Sequence, residues 1–468
     1  MKNNSLNSKL NLTKLVNELT IMSQNVKVDS VEETAFTQII SRFHQDDNIE
    51  QAIAGFEEAI YKNRLTIAFM KKKISQLIEN KIADLAIETI SLATQLAPHD
   101  RELHFLMIQA CRLNEDYSRA LDILDTLKAD ATPREVILIL NEEAAIYKLM
   151  QNAESTFVSL RRLLTIDPHN EDALREIWWS IEMSKNYKES LKQHKIVIEK
   201  NPYSARAWYN LAHAEYYLHQ YENAIRSFEY AYIIDPKFEL AYRYCAEVCT
   251  LTGRFEQALK CYYDLMEHAV ADAEALKSIG YCYEKTSNLI KARKYYLLAR
   301  NLDPVDDEIY YNLGNTYKAD GQWQLAANYY ERAVSLQDRN EDYFVALAEA
   351  YIHCGENHKA DLFFRRATEV CPEMPAPWVR YAEFYFKGGK SEKALEILLE
   401  AEETTAGAEI YYCRAIILFS LNEKFDAMEN LGEALQIDFD MHKILFDYLP
   451  ALKEDREIKA IIKYYEFG

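Results

Sequence analysis

One residue type returns every 34 positions through most of this chain. Ala52, Ala86 and Ala120 are spaced by 34; after a slip of two, Thr156 and Ser190 hold the place. Ala224, Ala258, Ala292, Ala326, Ala360 and Ala394 follow at steps of 34, and Ala427 at 33. Four residues beyond each lies a larger side chain, such as Phe228, Tyr262, Tyr296, Tyr330 and Phe364. Three further on the residue is again small or aliphatic, such as Ala231, Leu265, Ala299, Ala333 and Ala367. A small, large, small set at i, i+4 and i+7 marks one face of a helix. Self-similarity at a fixed period of about 20–50 residues is the signature of stacked repeats, none of which buries its apolar face alone.

Each unit also holds an earlier helix. In the unit starting at Ala205, Trp208, Leu211, Ala212 and Glu215 fall at helical spacing; in the unit at Asp307, Tyr310, Leu313, Gly314 and Tyr317 do the same. The eighth place is small in Ala212, Gly280, Gly314, Ala348 and Ala382, which lets the two helices of a pair approach closely. Gly253, Gly321, Gly355 and Gly389 stand where the first helix ends, a place suited to a left-handed residue. Pro168, Pro202 and Pro236 recur at steps of 34, with Pro304 and Pro372 at further steps of 68, and each closes one unit and opens the next. Two departures stand out. Leu113 and Ala120 are close together in the unit at 101–136, which predicts a shortened turn there. Thr156, Ser190 and His194 put polar groups in packing places, which predicts looser packing across 137–204.

This pattern resembles the tetratricopeptide repeat family over roughly residues 33 to 441, most sharply from Asn201 to Pro372. The resemblance implies an all-α, right-handed superhelical solenoid of about twelve antiparallel helix pairs with a C-terminal capping helix. The expected organisation is a polar N-terminal arm (1–32), more degenerate units 1–5 (33–204), units 6–12 closest to consensus (205–441), and capping helices (442–468). The resemblance also implies that first helices line a concave groove, facing it with the second, fifth, ninth, twelfth and thirteenth residues. That assignment selects Arg206, Tyr209, His213, Tyr216 and Tyr217; Arg243 and Glu247; Lys277, Tyr281, Glu284 and Lys285; and Tyr311, Asn315 and Lys318. Asn210, Tyr244 and Asn312 fall at the sixth place, on the groove shoulder. Aromatic residues mixed with Arg and Asn are typical of protein-binding hot spots. The chaperone-tail carboxylate clamp of some family members is not matched, because Tyr281, Asp342 and Ala346 replace three of its residues beside Lys277 and Asn312.

Charge and motif content narrow the function classes. The balance of 54 basic against 74 acidic residues is the wrong global sign for gripping a phosphate backbone. No segment has the apolar length of a bilayer span or a secretory leader. The eight cysteines lack the dense spacing of a disulfide framework, which points to the cytoplasm. No phosphate loop, His-Glu-x-x-His, Gly-x-Ser-x-Gly or Cys-x-x-Cys motif is present. Cys245 and Cys249, four apart on one helix, read as buried core residues. The expectation is a non-catalytic adaptor without cofactor or metal that binds a peptide segment or helix of a partner protein in its groove, with no nucleic acid and no membrane insertion. The competing expectation is a regulatory or peptide-sensing subunit whose superhelix changes pitch on ligand binding. Partner identity and oligomeric state are not encoded legibly.

Overall fold

The computed structural model describes residues 67–466. All regular structure among them is helical, with 24 α-helices, two short 3-10 segments and no strand. The polar arm expected at 1–32 and the unit around Ala52 lie outside the described residues. The chain divides into two compact units, one ending at Pro202 and one beginning at Tyr203.

The unit ending at Pro202 holds four described helix pairs: Ile67–Glu79 with Ala83–Leu96, Arg101–Leu113 with Tyr117–Lys128, Pro133–Leu149 with Ala153–Ile166, and Glu171–Ser184 with Tyr187–Lys200. The unit from Tyr203 holds seven, beginning with Ala205–Tyr217 and Tyr221–Ile234 and ending with Ala408–Ser420 and Lys424–Ile437. Side-chain caps start many first helices: Asp100, Asn170, Ser204, Asp272 and Asp306 each accept a hydrogen bond from a backbone N–H of the first turn. Each pair turns through one left-handed residue. Glycine fills that position at 253, 321, 355 and 389, but Lys81, Glu115, Gln151, Lys185, His219, Ser287 and Asn422 take the same conformation at the equivalent places. The hydrogen bonds that close the turn, such as Arg254 N to Cys249 O at 2.7 Å, hold even residues with a Cβ there.

That series corrects the expectation of a shortened turn at 101–136. Three residues separate Arg101–Leu113 from Tyr117–Lys128, as in the pair beginning at Ala205. The two-residue slip lies further on. Tyr117–Lys128 has 12 residues where the other second helices of this unit have 14, and Pro133–Leu149 has 17 where the neighbouring first helices have 13 or 14. Thr132 and Glu135 form a reciprocal capping box and Pro133 opens the helix, so it begins a turn early and absorbs the insertion.

Hairpin closure follows the small-against-large rule. Tyr296 packs on Gly280 and Tyr330 on Gly314, and both rings are fully buried. A Cβ on Gly314 would stand 2.4 Å from a carbon of the Tyr330 ring. In the Glu171–Ser184 pair the eighth place carries Trp178 and the large place His194. The backbones of that pair make few close approaches, the least of the described pairs. Its polar groups are only partly satisfied: His194 Nδ1 lies 2.9 Å from the Ser190 carbonyl, but the buried Gln193 Nε2 has no hydrogen-bond partner among the described residues. In the preceding pair the Thr156 hydroxyl donates to Asn152 O at 2.8 Å.

The chain beyond the last pair, Lys443–Tyr448, Pro450–Glu454 and Arg456–Glu466, covers the final repeat, with Leu445 and Ile458 fully buried against Tyr412, Leu431 and Leu435. Gly314→Ala is predicted to destabilise the Tyr203–Gly468 unit by about 1–3 kcal/mol, because the methyl must displace a buried ring. Urea denaturation followed by circular dichroism measures this, and an unchanged midpoint would contradict the close approach.

Candidate functional site

The first helices of the Tyr203–Gly468 unit line a concave cleft of about 700 Å³. Tyr216, Glu247, Lys277, Tyr281, Tyr311 and Asn312, six of the residues selected by register, meet there, together with Glu308, Asp342 and Tyr343. Tyr311 stacks on Tyr343 with ring centroids 4.7 Å apart, forming one aromatic wall. Tyr217 and Tyr281 are among the more exposed tyrosines of these helices. The Asn312 side chain makes no hydrogen bond within the described residues, and its amide is available to a ligand.

Other selected residues are committed elsewhere. Tyr209, Asn210 and His213 are buried, not presented on the surface. His213 sits edge-on to Phe228 and Tyr244, with centroids 5.1 and 4.4 Å away, and Tyr209 packs against Phe228 and Phe238. Tyr244, half-buried, stacks on Phe228. The Arg206 guanidinium lies over the Phe238 ring at 4.4 Å. Asn315 accepts the Tyr330 hydroxyl at 2.8 Å, and Glu284 accepts that of Tyr296 at 2.8 Å. The rings that close the hairpins thus end at the first helices and fix two selected side chains.

Three of the selected cations, Arg243, Lys277 and Lys318, serve as stitches between repeats, whereas Lys285 lies over the Tyr281 ring at 5.0 Å. Arg243 binds Asp272 through two contacts, at 3.1 and 3.0 Å. Lys277 reaches Asp306 at 3.0 Å and Glu308 at 2.8 Å, and Lys318 reaches Glu349 at 2.6 Å. In the other unit Lys71 binds Asp100 at 2.7 Å in the same way. Lys71, Arg243 and Lys277 all occupy the fifth place, and their partners 29 residues on cap the next first helix. One carboxylate therefore accepts a backbone N–H at a helix start and a cation from the preceding repeat. Burial opposes the Lys277 charge, but the carboxylates of Glu308, Glu274 and Asp306 outweigh that and hold its ammonium above the ordinary lysine range. Register alone missed this role; the legible signal is the Lys/Arg-to-Asp spacing of 29.

With those cations neutralised internally, the cleft carries a surplus of acid. No cation of the described residues pairs with Glu247 or Asp342. Desolvation by the cleft walls raises the pKa of Glu247, and no neighbouring positive charge counters it. A second concavity, of about 990 Å³, lies in the unit ending at Pro202, where Lys148 lies over the Trp179 ring beside Glu142 and Met183. Among the described residues no helix is long and apolar enough to cross a membrane.

This helix-pair architecture matches a known family. The tetratricopeptide repeat model fits residues 205–238, 307–340 and 341–374. The chain carries tetratricopeptide repeats at those residues, and that repeat fold serves as a protein–protein interaction scaffold and is typically non-catalytic. An 88-residue stretch is 38% identical to the uncharacterized protein ycf37 of Guillardia theta; it covers 18% of this chain and 49% of that protein, about half its length. Similar solved structures include the C-terminal part of a TPR repeat-containing protein from Cytophaga hutchinsonii, at 18% identity over 52% of this chain and 99% of that one, with a TM-score of 0.41. A tetratricopeptide repeat protein from Parabacteroides merdae is 16% identical over 56% of this chain and 98% of that one, also at 0.41. YrrB, described as a TPR protein with an unusual peptide-binding site, is 17% identical over 39% of this chain and 95% of that one, at 0.34.

Burial drives the pKa of His213 down to about 3, from an ordinary value near 6.5. The fold therefore favours the neutral ring, and its stabilising contribution is complete above about pH 6.5 and drains away as pH falls toward the folded value. Stability of the Tyr203–Gly468 unit is predicted to decline between pH 6.5 and 5, and His213→Phe to flatten that decline. Urea midpoints across this window test it; an equal slope in the variant would contradict the assignment.

Proposed function

We propose that this protein is a cytoplasmic, non-catalytic scaffold whose Tyr203–Gly468 unit receives a basic segment of a partner protein in its concave cleft. The carrying observation is the acidic, tyrosine-walled cleft, in which Glu247 and Asp342 lack cation partners and the Asn312 amide is uncommitted. A lysine or arginine of the ligand pairs with such carboxylates while its stem lies along the rings of Tyr216, Tyr281 and Tyr311. Asn312 then serves the ligand backbone, offering both a donor and an acceptor.

The far end of the same unit supports this reading. Met441, Ile444 and Tyr448 of the C-terminal segment share a cavity of about 340 Å³ with Ala376, Val379, Glu383, Tyr412 and Ile416. Those five occupy second, fifth and ninth places of the last two repeats. The Tyr448 hydroxyl donates to Glu383 at 2.6 Å. The face that elsewhere stands open here accommodates a helix of the chain itself. All eight cysteines are free, which fits a reducing compartment.

The test is fluorescence anisotropy with three labelled peptides of equal length, one rich in lysine and arginine, one in glutamate and one neutral. The basic peptide is predicted to bind best, and Glu247→Gln with Asp342→Asn to weaken it about tenfold. Glu267→Gln, on an exposed second helix, removes charge outside the cleft and is predicted to leave binding within about twofold. Equal losses in the cleft and control variants would sink the reading. Cleft-sensitive binding of the neutral peptide alone would keep the cleft and overturn the charge preference.

A further inference from the structure

Cys245 and Cys249 lie one helical turn apart on Glu239–Leu251, and Cys261 faces them from Phe255–His268. Helical spacing relates only the first two, which read as core residues; the third joins them from the neighbouring helix. All three are 0–1% exposed. Their sulfurs lie within 4.8 Å of one another, with Cys261 Sγ 3.5 Å from Cys245 Sγ. Metal–sulfur bonds of about 2.3 Å in a trigonal plane would place the sulfurs about 4 Å apart. The trio is therefore near coordination distance before any ion arrives.

We propose that Cys245, Cys249 and Cys261 form an all-sulfur, three-coordinate site for copper(I), inside the second helix pair of the Tyr203–Gly468 unit. The donor set selects the ion. Thiolates favour soft metals, and the group contains no histidine or carboxylate that would suit a harder one. Structural zinc sites take four protein ligands and catalytic zinc keeps an open position for water. Here the group offers three protein donors, and all are sealed from solvent. Copper(I) accepts three sulfurs. On binding, each thiol releases its proton to solvent, three copper–sulfur bonds form, and the metal stays in the +1 state, so no oxidant or reductant takes part. Because the ligands come from both helices, the ion would tie the hairpin together and stabilise the native state by mass action.

The experiment is an anaerobic titration of the full chain with copper(I) against the competing chelator bathocuproine disulfonate. One equivalent is expected to be retained, with X-ray absorption showing sulfur neighbours alone. Cys261→Ala is expected to lower apparent affinity at least about tenfold, while Cys413→Ala, a buried cysteine elsewhere in the same unit, leaves it unchanged. Nitrogen or oxygen neighbours, or equal loss in both variants, would overturn the proposal. If Cys261→Ala fails to fold by circular dichroism, the wild-type melting temperature decides. A rise with copper(I) and none with zinc supports the site; no rise at saturating copper(I) overturns it.

Discussion

The contact on which the architecture depends is a large side chain of one helix seated in the gap left by a small residue of its partner. Six successive pairs of the Tyr203–Gly468 unit use it, at Ala212 and Phe228, Ala246 and Tyr262, Gly280 and Tyr296, Gly314 and Tyr330, Ala348 and Phe364, and Ala382 and Leu398. The glycines bring the helices close enough that no Cβ fits. Tyrosine suits the slot because its ring fills the gap while its hydroxyl reaches past it to Glu284 or Asn315. Where the slot is absent, at Trp178 and His194, the backbones of the pair make few close approaches. Core packing and the chemistry of the concave face are therefore set by the same rings.

Electrostatics supply the second level of order. A cation at the fifth place reaches the acidic cap of the next first helix, so each such pair fixes the register between repeats as well as one helix start. Partly exposed pairs of this kind contribute modestly to stability, yet they engage Arg243, Lys277 and Lys318 of the selected face. The cleft lining is left with acid and aromatic surface, the opposite of what a residue count of the face suggests. Glu247 and Asp342 stand out because neither has a cation partner among the described residues, while Lys277, the one cation lining the cleft, is committed to other carboxylates.

Most of the fold was legible because the governing pattern is local and repeated. Ala326 and Tyr330 recur in kind so often that the period, the helix pairing and the small-against-large contact follow from spacing alone. The position of the two-residue slip was not legible. Leu113 to Ala120 spans the same step as Tyr217 to Ala224, and the insertion hides in the early start of Pro133–Leu149, which only the capping box reveals. The site was half legible. Register selects residues that belong to first helices, but burial separates Tyr216 and Tyr281 from Tyr209 and His213, and burial depends on neighbours a repeat away. The ion-pair ladder and the third cysteine were missed for one reason: both join residues of different helices.

Tyrosine chemistry reads the central contact directly. Tyr296 and Tyr330 are fully buried in the hairpin slots, whereas Tyr230, on the second helix of its pair, is 51% exposed. Limited iodination of the folded protein, with modified sites located by mass spectrometry, should label Tyr230 rapidly and leave Tyr296 and Tyr330 unmodified until urea unfolds the chain. Labelling of all three at similar rates in the native protein would mean that the rings do not occupy the slots, and the account of the fold and of its concave face would fail together.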